Sequence, residues 1–244
     1  MIWTILVVIA FLLFFIIGLI PMIILLIIRL FNKNLAATIG QPFVCKFGFN
    51  LVLLAAGCRK EVHGLENIPK GPCLFVGNHR SYFDIPLSYS VIPGTHLTAY
   101  VAKKEIKKVP FLNWWMLILN CIFLDRSNPR AGMAGIKQAI GEVEAGRSVI
   151  ILPEGTRKHG EGVGEFHGGS FKVADRTRCP VVPVAMAYTD DAFEKHMPKI
   201  KPTKLKIMFG KPIYTTDLSR DEMRAVADQA HDIIADMYGE LTKA

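Results

Sequence analysis

The first sixty residues of the chain lack acidic side chains. The first carboxylate of the 244 residues is Glu61, and residues 1–28 carry no charge of either sign. Such a charge-free run is unusual inside so small a soluble domain, because domain surfaces are normally rich in charged side chains. The composition therefore divides the chain into an apolar beginning and a charged remainder.

The chain also lacks the cysteine patterns of a disulfide framework or a zinc site. It has an odd number of cysteines, no C-x-x-C pair, and most of the five stand inside apolar runs. We read Cys45, Cys58, Cys73, Cys121 and Cys179 as buried thiols in a reducing compartment. No cluster of metal ligands is visible, and we predict neither a metal nor a bound cofactor.

Motifs of two hydrolase classes and of nucleic-acid binding are missing as well. The chain contains neither G-x-S-x-G nor H-E-x-x-H, which argues against a serine esterase and a zinc hydrolase. The formal net charge of +8 favours an acidic partner, such as an anionic lipid or a phosphate-bearing substrate. Nucleic acid is the weakest of these partners, since the lysines form no arm and no nucleic-acid fold motif appears.

Residues 1–30 are predicted to form a membrane helix. About 20 apolar residues suffice to span a bilayer, and the run is too long for the apolar region of a signal peptide. Gly18 and Pro21 interrupt it, so a kink or a hairpin dipping into one leaflet remains an alternative to a span. The basic residues Arg29 and Lys33 follow the run, which places its carboxyl end and the following domain on the cytoplasmic side of the cell membrane.

A second apolar stretch, residues 43–58, is short for a span and fits an interfacial helix that pairs with the first. We therefore predict a hydrophobic helical membrane anchor over residues 1–58. Residues 59–244 would then form the functional domain.

From Glu61 onwards the pattern is that of an α/β domain. Apolar runs of strand length recur between helical patterns, at 73–77, 97–102, 121–124, 148–153, 181–188 and 205–209. This alternation predicts a mixed, mainly parallel sheet flanked by helices.

Two of the intervening helices are marked by clear end signals. Residues 130–145 follow Asn128 as a cap and Pro129 at the first position. Residues 219–241 begin with Ser219 and Glu222, the pattern of a capping box. The predicted inner stripe of this last helix is Met223, Val226, Ala230, Ile233, Met237 and Leu241.

The chemistry is predicted to centre on residues 77–84, which follow the strand at 73–77. His79 and Asp84 stand five residues apart and would cooperate with His79 in the loop and Asp84 at the start of the next helix. A neutral imidazole takes a proton from an alcohol near pH 7, and a carboxylate on its other nitrogen fixes the tautomer. The alternative is structural, because Asp84 precedes Ile85-Pro86 as an N-cap would, and Ser81 with Asp84 fits a capping box.

Four blocks in order resemble the glycerolipid acyltransferases. Asn78-His79 with Asp84 resembles their His-x4-Asp motif, and Phe123-Leu124-Asp125-Arg126 resembles their second block. Pro153-Glu154-Gly155-Thr156-Arg157 resembles the third block and Val181-Val182-Pro183-Val184 the fourth. The resemblance covers roughly residues 60–215 and is strongest to bacterial enzymes that acylate 1-acylglycerol 3-phosphate.

The resemblance implies a function and a site. An acyl chain would pass from an acyl-CoA or acyl-carrier-protein thioester to the 2-hydroxyl of lysophosphatidic acid, giving phosphatidic acid for phospholipid biosynthesis. His79 would be the general base oriented by Asp84, and Arg126 and Arg157 would hold the acceptor's phosphate. Glu154, Gly155 and Thr156 complete the predicted substrate-binding set, with Glu154 binding the glycerol hydroxyls or holding one of the two arginines.

Other readings stay open at this point. Arg157 could form a surface ion pair with Glu161 or Glu165 instead of binding phosphate. The lysines at 103, 104, 107 and 108, beside Trp114 and Trp115, fit a membrane interface, a solvated face or a site for the phosphates of an acyl carrier. The acceptor could be glycerol 3-phosphate or another lysophospholipid, and a non-catalytic membrane lipid-binding protein could keep the same fold.

Overall fold

The computed structural model describes residues 1–125 and 129–243, apart from the side chains at 129 and 130. Two residues singled out from the sequence, the predicted phosphate ligand Arg126 and the predicted cap Asn128, lie outside the described residues.

A seven-stranded sheet forms the centre of the described residues. Its strands are β1 to β7, at Arg59–His63, Leu74–Gly77, Thr98–Lys103, Ile122–Leu124, Ser148–Ile151, Val181–Ala187 and Lys204–Phe209. Their order across the sheet is β1-β7-β6-β2-β5-β3-β4, and only the β6–β7 pair is antiparallel. The prediction of a mixed, mainly parallel sheet is confirmed.

The edge strand β1 was missed by the sequence analysis. Its residues, Arg59-Lys60-Glu61-Val62-His63, are mostly charged and partly exposed, and none lies in an apolar run. The strand is held by parallel pairing with β7, in which Glu61 lies opposite Lys206. Charged edge strands are common because they discourage pairing with other chains, and hydropathy alone does not reveal them.

Nine α-helices are seen in the described part of the chain. They are α1 to α9, at Ile2–Phe31, Lys33–Gln41, Phe49–Ala55, Asp84–Val91, Leu112–Ile118, Pro129–Glu144, Lys172–Thr177, Thr189–Ala192 and Arg220–Thr242. The predicted start of α6 at Pro129 is confirmed. The predicted capping box of α9 is also present, with Ser219 and Glu222 each accepting from the other's backbone N–H.

One residue of the stripe predicted for α9 is corrected. Ile234 is fully buried against the sheet, whereas Ile233 is half-buried and lies against Gly210. The error arises because the helix is buried over a broad face, and two consecutive isoleucines both fall near it.

Helices cover both faces of the sheet, and alternate residues of β2 belong to different cores. Phe75 packs with α4, α5 and the N-terminal helices, whereas Leu74 and Val76 pack with α6, α7 and α9. A parallel sheet covered on both faces requires such apolar strands. The carboxyl ends of β2 and β5 therefore meet at one edge, between the two helical layers.

The apolar beginning of the chain forms a helical hairpin. Helix α1 runs unbroken through Gly18 and Pro21, so the predicted alternative of a hairpin within residues 1–30 is wrong. The chain turns at Asn32, whose side chain accepts from Leu35 N at 2.9 Å. Residues Lys33–Ala55 form a second helical segment, comprising α2, a π-helical stretch at Pro42–Gly48 and α3. Both segments are long and apolar enough to cross a membrane by length and composition.

Helix α1 lies against the sheet domain near both of its ends. Thr4 Oγ1 accepts from Ile200 N at 2.9 Å, and Arg29 donates to the Asn120 side chain. Between these points Met22 and Leu25 are buried, while most of the helix is exposed. A helix attached at both ends follows the surface of the domain instead of projecting away from it.

Candidate active site

The loop after β2 carries the predicted catalytic pair. Asn78 fixes its beginning, because the Asn78 side chain accepts from Met186 N at 2.7 Å and donates to Met186 O at 2.9 Å. The loop thereby starts against the neighbouring strand β6. Loops at this edge of an open α/β sheet are the usual place for ligands.

His79 and Asp84 are in direct contact. His79 Nδ1 lies 2.8 Å from Asp84 Oδ2, and the aspartate is fully buried while 20% of the histidine side chain is exposed. Asp84 stands in the first turn of α4, which brings its carboxylate back over the loop. The geometry leaves one ring nitrogen of His79, Nε2, for a bound molecule.

The Asp84 carboxylate also has a structural role, although Asp84 is not the N-cap offered as the alternative, because it stands in the first turn of α4 and Phe83 precedes it at the cap position. The same oxygen, Oδ2, accepts from Arg80 N at 2.7 Å and from Ser81 N at 2.8 Å. The bond from Ser81 is one half of the predicted capping box, although the Ser81 hydroxyl accepts from Phe83 N instead of completing it. One buried oxygen therefore shapes the loop and orients the imidazole.

Glu154 supports the same loop from β5. Its Oε1 accepts from His79 N at 2.7 Å and its Oε2 from Gly164 N at 3.1 Å. Burial raises the pKa of this carboxyl above its ordinary value, against the lowering effect of the two backbone donors. Glu154 thus joins the His79 loop to the glycine-rich segment at 160–169.

Gly155 and Thr156 form the turn that follows Glu154. Gly155 has a φ of +75°, a conformation that side chains with a Cβ rarely adopt, and its N–H bonds to Leu152 O at 3.1 Å. Thr156 is exposed. The turn directs the following residue, Arg157, towards the His79 loop.

Arg157 is held by Tyr82 and Glu194. Its Nη1 lies 2.9 Å from Glu194 Oε1, and its guanidinium carbon lies 3.9 Å above the centre of the Tyr82 ring. The predicted alternative partners, Glu161 and Glu165, are not those that the structure shows. The Arg157 side chain remains 27% exposed, and its guanidinium borders the loop that carries His79.

The segment after β6 supplies two acidic residues that the sequence analysis missed. Glu194 accepts from Tyr82 N at 2.9 Å and from the Ser81 hydroxyl at 2.5 Å, in addition to pairing with Arg157. Asp190 lies 2.9 Å from a guanidinium nitrogen of the buried Arg80. The sequence held a signal, because acidic residues come soon after the predicted strand at 181–188. The signal could not be used, because the sequence does not show that β6 lies beside β2.

Arg80 in turn fixes the glycine-rich loop. It donates to Gly160 O at 2.6 Å and to Gly162 O at 3.0 Å, and only 3% of the residue is exposed. The mobility predicted for residues 160–169 stays a prediction. In the structure Arg80 and Glu154 bind this loop at three carbonyl or amide groups.

An apolar cavity of about 430 Å³ lies beside the His79 loop, on the face of the sheet covered by α1. Its walls come from the loop, from α1 and from α5, and include Val7, Phe11, Tyr82, Phe83, Tyr100 and Trp115. Pockets of about 300–1,000 Å³ with apolar walls are typical of small-molecule sites. The apolar helical hairpin therefore contributes part of the wall of a candidate binding site.

The two tryptophans near the lysine cluster have different environments. Trp115 is buried and stacks on Phe43, at 5.4 Å between ring centres, whereas Trp114 is 42% exposed. Lys104 pairs with Asp125 at 2.6 Å. Trp115 is thus a core residue, and a membrane interface at Trp114 and the lysines stays a prediction.

Comparison with known proteins matches the part of the chain that contains His79, Asp84 and Arg157. Residues 59–187 match the family model described as Acyltransferase. The chain is similar to the 1-acyl-sn-glycerol-3-phosphate acyltransferase BAT2 of Brassica napus, with 32% identity over 68% of this chain and 49% of that protein. A protein of the same activity name in Pseudomonas aeruginosa is 34% identical over 58% of this chain and 54% of its own length. The chain thus spans about half the length of these curated relatives.

A solved structure extends the similarity to the whole fold. The crystal structure of the 1-acyl-sn-glycerophosphate acyltransferase from Thermotoga maritima superimposes with a TM-score of 0.66 at 25% sequence identity. The superposition covers 87% of this chain and 97% of that one. The similarity therefore includes more than the residues matched by the family model.

Proposed function

The chain belongs to the acyltransferase family, and from this premise we propose that it transfers an acyl chain to the 2-hydroxyl of 1-acylglycerol 3-phosphate. The product would be phosphatidic acid, and the donor an acyl-CoA or acyl-carrier-protein thioester. The names of the relatives support this substrate class.

The observation that carries the proposal is the contact between His79 and the buried Asp84. With Nδ1 engaged by the carboxylate at 2.8 Å, Nε2 would accept the proton of the acceptor's hydroxyl. The oxygen attacks the thioester carbonyl, a C–O bond forms, the C–S bond breaks, and the imidazolium returns its proton to the departing thiolate. Transfer is direct, without an acyl-enzyme.

The acceptor's phosphate would bind at Arg157. A guanidinium offers paired donors in the planar arrangement that suits a phosphate group, and this one is partly exposed beside the His79 loop. Arg126 would contribute a second cation, and the turn at Gly155 and Thr156 would border the headgroup. Glu154 would act by holding the His79 backbone, since both of its oxygens already accept backbone N–H groups.

The apolar cavity beside Tyr82 and Phe83 would accommodate an acyl chain. Its walls include Tyr82 and Phe83 of the loop that carries His79, so a chain bound there would lie against that loop. Each methylene buried from water contributes about 0.8 kcal/mol, so an apolar cavity binds acyl chains well.

The apolar hairpin would keep the enzyme at the membrane, with the catalytic domain facing the cytoplasm. Both substrate and product of the proposed reaction are lipids, and an enzyme held at the interface meets them there. A reporter fused after residue 244 tests the orientation. Activity of a reporter that functions only in the cytoplasm is expected, and activity of one that functions only outside would reverse the assignment.

The proposed reaction is tested with the full chain in detergent. Labelled lysophosphatidic acid, glycerol 3-phosphate and a lysophospholipid with a larger headgroup are offered in parallel, each with acyl-CoA and with acyl-carrier-protein donors. We expect phosphatidic acid from lysophosphatidic acid with at least one donor. If only another acceptor were turned over, the acceptor would not be lysophosphatidic acid. Binding of lysophosphatidic acid without turnover under any condition would support a non-catalytic lipid-binding protein.

A further inference from the structure

Glu194 is the one carboxylate among the described residues that touches both the His79 loop and Arg157. Its side chain is 5% exposed and comes from the segment after β6, far from both in sequence. Burying a carboxylate is costly unless its oxygens are satisfied. Here they are, by Arg157, by Tyr82 N and by the Ser81 hydroxyl.

These contacts link Arg157 to the catalytic pair through a short series of bonds. Glu194 binds Ser81 and Tyr82, Ser81 N donates to Asp84, and Asp84 bonds to His79 Nδ1. A shift of Glu194 therefore moves the segment that shapes the base. At the same time Glu194 occupies the guanidinium that an incoming phosphate needs.

We propose that Glu194 is a positioning residue with two tasks in the proposed reaction. It holds the Ser81–Tyr82 segment beside His79. It also pairs with the Arg157 guanidinium until the acceptor's phosphate takes its place in that ion pair. The inference rests on the proposed function, because it assumes that Arg157 receives a phosphate. It predicts that removing the charge of Glu194 tightens acceptor binding, whereas removing its oxygens weakens catalysis.

The first task is tested by comparing Glu194→Ala with Glu194→Gln. Glutamine keeps an oxygen that can accept from Tyr82 N, and alanine does not. We expect kcat to fall about tenfold or more in Glu194→Ala and to be largely restored in Glu194→Gln, since misplaced catalytic groups cost rate. Equal kcat in the native chain and Glu194→Ala would overturn the positioning task.

The second task is tested by equilibrium binding of labelled lysophosphatidic acid to the full chain in detergent, without donor. Glu194→Gln should lower Kd about threefold or more, as expected for release of a partly exposed ion pair. The effect should vanish in the Arg157→Gln background, because competition requires Arg157. If Glu194→Gln lowered Kd equally in the Arg157→Gln background, the effect would be one of general charge, and the proposed competition for Arg157 would be wrong.

Asp191→Asn is the matched control. It removes a negative charge three residues from Glu194, where Asp191 pairs with Lys195 at 2.7 Å and is 31% exposed. We expect unchanged Kd and kcat, and a Kd change as large as that of Glu194→Gln would also overturn the competition. Failure of the proposed function itself is distinguishable, since the native chain would then make no phosphatidic acid while the binding comparison could still be read.

Discussion

At the scale of single residues, the Asp84 carboxylate both contacts the His79 imidazole and shapes the loop that carries it. Its Oδ2 atom accepts from His79 Nδ1 and from the backbone N–H groups of Arg80 and Ser81. The other oxygen is buried without a hydrogen-bond partner among the described residues. A substitution at Asp84 therefore disturbs the shape of the loop and the orientation of the His79 imidazole together.

Replacing Asp84 by Asn should remove most turnover. A neutral amide oxygen in the place of Oδ2 accepts the same three hydrogen bonds more weakly than a carboxylate and stabilises the imidazolium less, and an amide nitrogen there cannot accept from His79 Nδ1. We expect kcat to fall by about 10²–10⁴. The assay is phosphatidic acid formation, with thermal unfolding to verify that the variant folds, and a folded variant with native kcat would refute the role.

Glu154 offers a test that depends on pH. Burial raises the pKa of Glu154 in the folded state, so protonation of this carboxyl stabilises the folded chain relative to the unfolded chain. That contribution is fully present below the ordinary value of 4.5 and is lost as pH rises through the higher pKa of the folded state. The melting temperature of the native chain should exceed that of Glu154→Gln most at acidic pH, with a gap that narrows towards neutral pH. A gap that widens instead would show that the fold favours the carboxylate.

The predicted contact between His79 and Asp84 is confirmed, and it joins residues that are close along the chain. His79 and Asp84 stand five residues apart, and a loop followed by a helix was enough to bring them together. Glu194 is 113 residues from Ser81 and 37 from Arg157. Its contacts depend on β6 lying beside β2, which local patterns do not determine.

At the scale of elements, the glycine-rich loop is fitted closely around Glu154. A Cβ at Gly164 would lie 3.1 Å from Glu154 Cδ and closer still to Oε2. By contrast, a Cβ at Gly168 would meet no atom within 4 Å. The two glycines of one loop thus form a matched pair for substitution.

Gly164→Ala should reduce turnover, and Gly168→Ala should not. The added methyl group displaces the Glu154 carboxylate, which holds His79 N, and a displacement of about 1 Å at a reacting centre can cost about 10²-fold in rate. We expect a loss of about tenfold in kcat for Gly164→Ala, measured beside Gly168→Ala in the same assay. Equal kcat in the two variants would show that the position of the Glu154 carboxylate does not affect His79.

Elements with clear end signals or strong apolar runs were predicted well from the sequence. The capping box of α9 and Pro129 at the start of α6 were recognised, as were six of the strands. The exception, β1, is charged and gains its stability from pairing with β7, so its own residues carry little signal. Local propensity is informative where a segment buries its own apolar side chains and much less so at a sheet edge.

At the scale of the whole molecule, the apolar hairpin, which is long and apolar enough to cross a membrane, also packs on the domain that carries the candidate active site. Val7 and Phe11 of α1 line the cavity beside Tyr82 and Phe83, and Thr4 is bonded to Ile200. Hydropathy predicted the anchor but gave no indication of where α1 lies on the domain. The long apolar helix α1 and the apolar cavity beside the His79 loop are therefore parts of one packed structure.

Val7→Phe should change the preference for acyl-chain length. Val7 is 5% exposed and faces the cavity, so a larger side chain shortens or narrows it. We expect kcat/KM to fall more for long-chain than for short-chain substrates, measured over a series of chain lengths. Val8→Phe is the control, because Val8 is 52% exposed on the same helix. An equal loss of kcat/KM at all chain lengths would show that the cavity does not determine the preference for acyl-chain length.

The central claim is that His79 is the base of an acyl transfer, and His79→Ala tests it most directly. The native chain, His79→Ala and the exposed-histidine control His167→Ala are assayed together for phosphatidic acid formation, after thermal unfolding has shown that each is folded. We expect activity in the native chain and in His167→Ala, with turnover by His79→Ala lower by about 10² or more. Native turnover in folded His79→Ala would show that His79 is not the base.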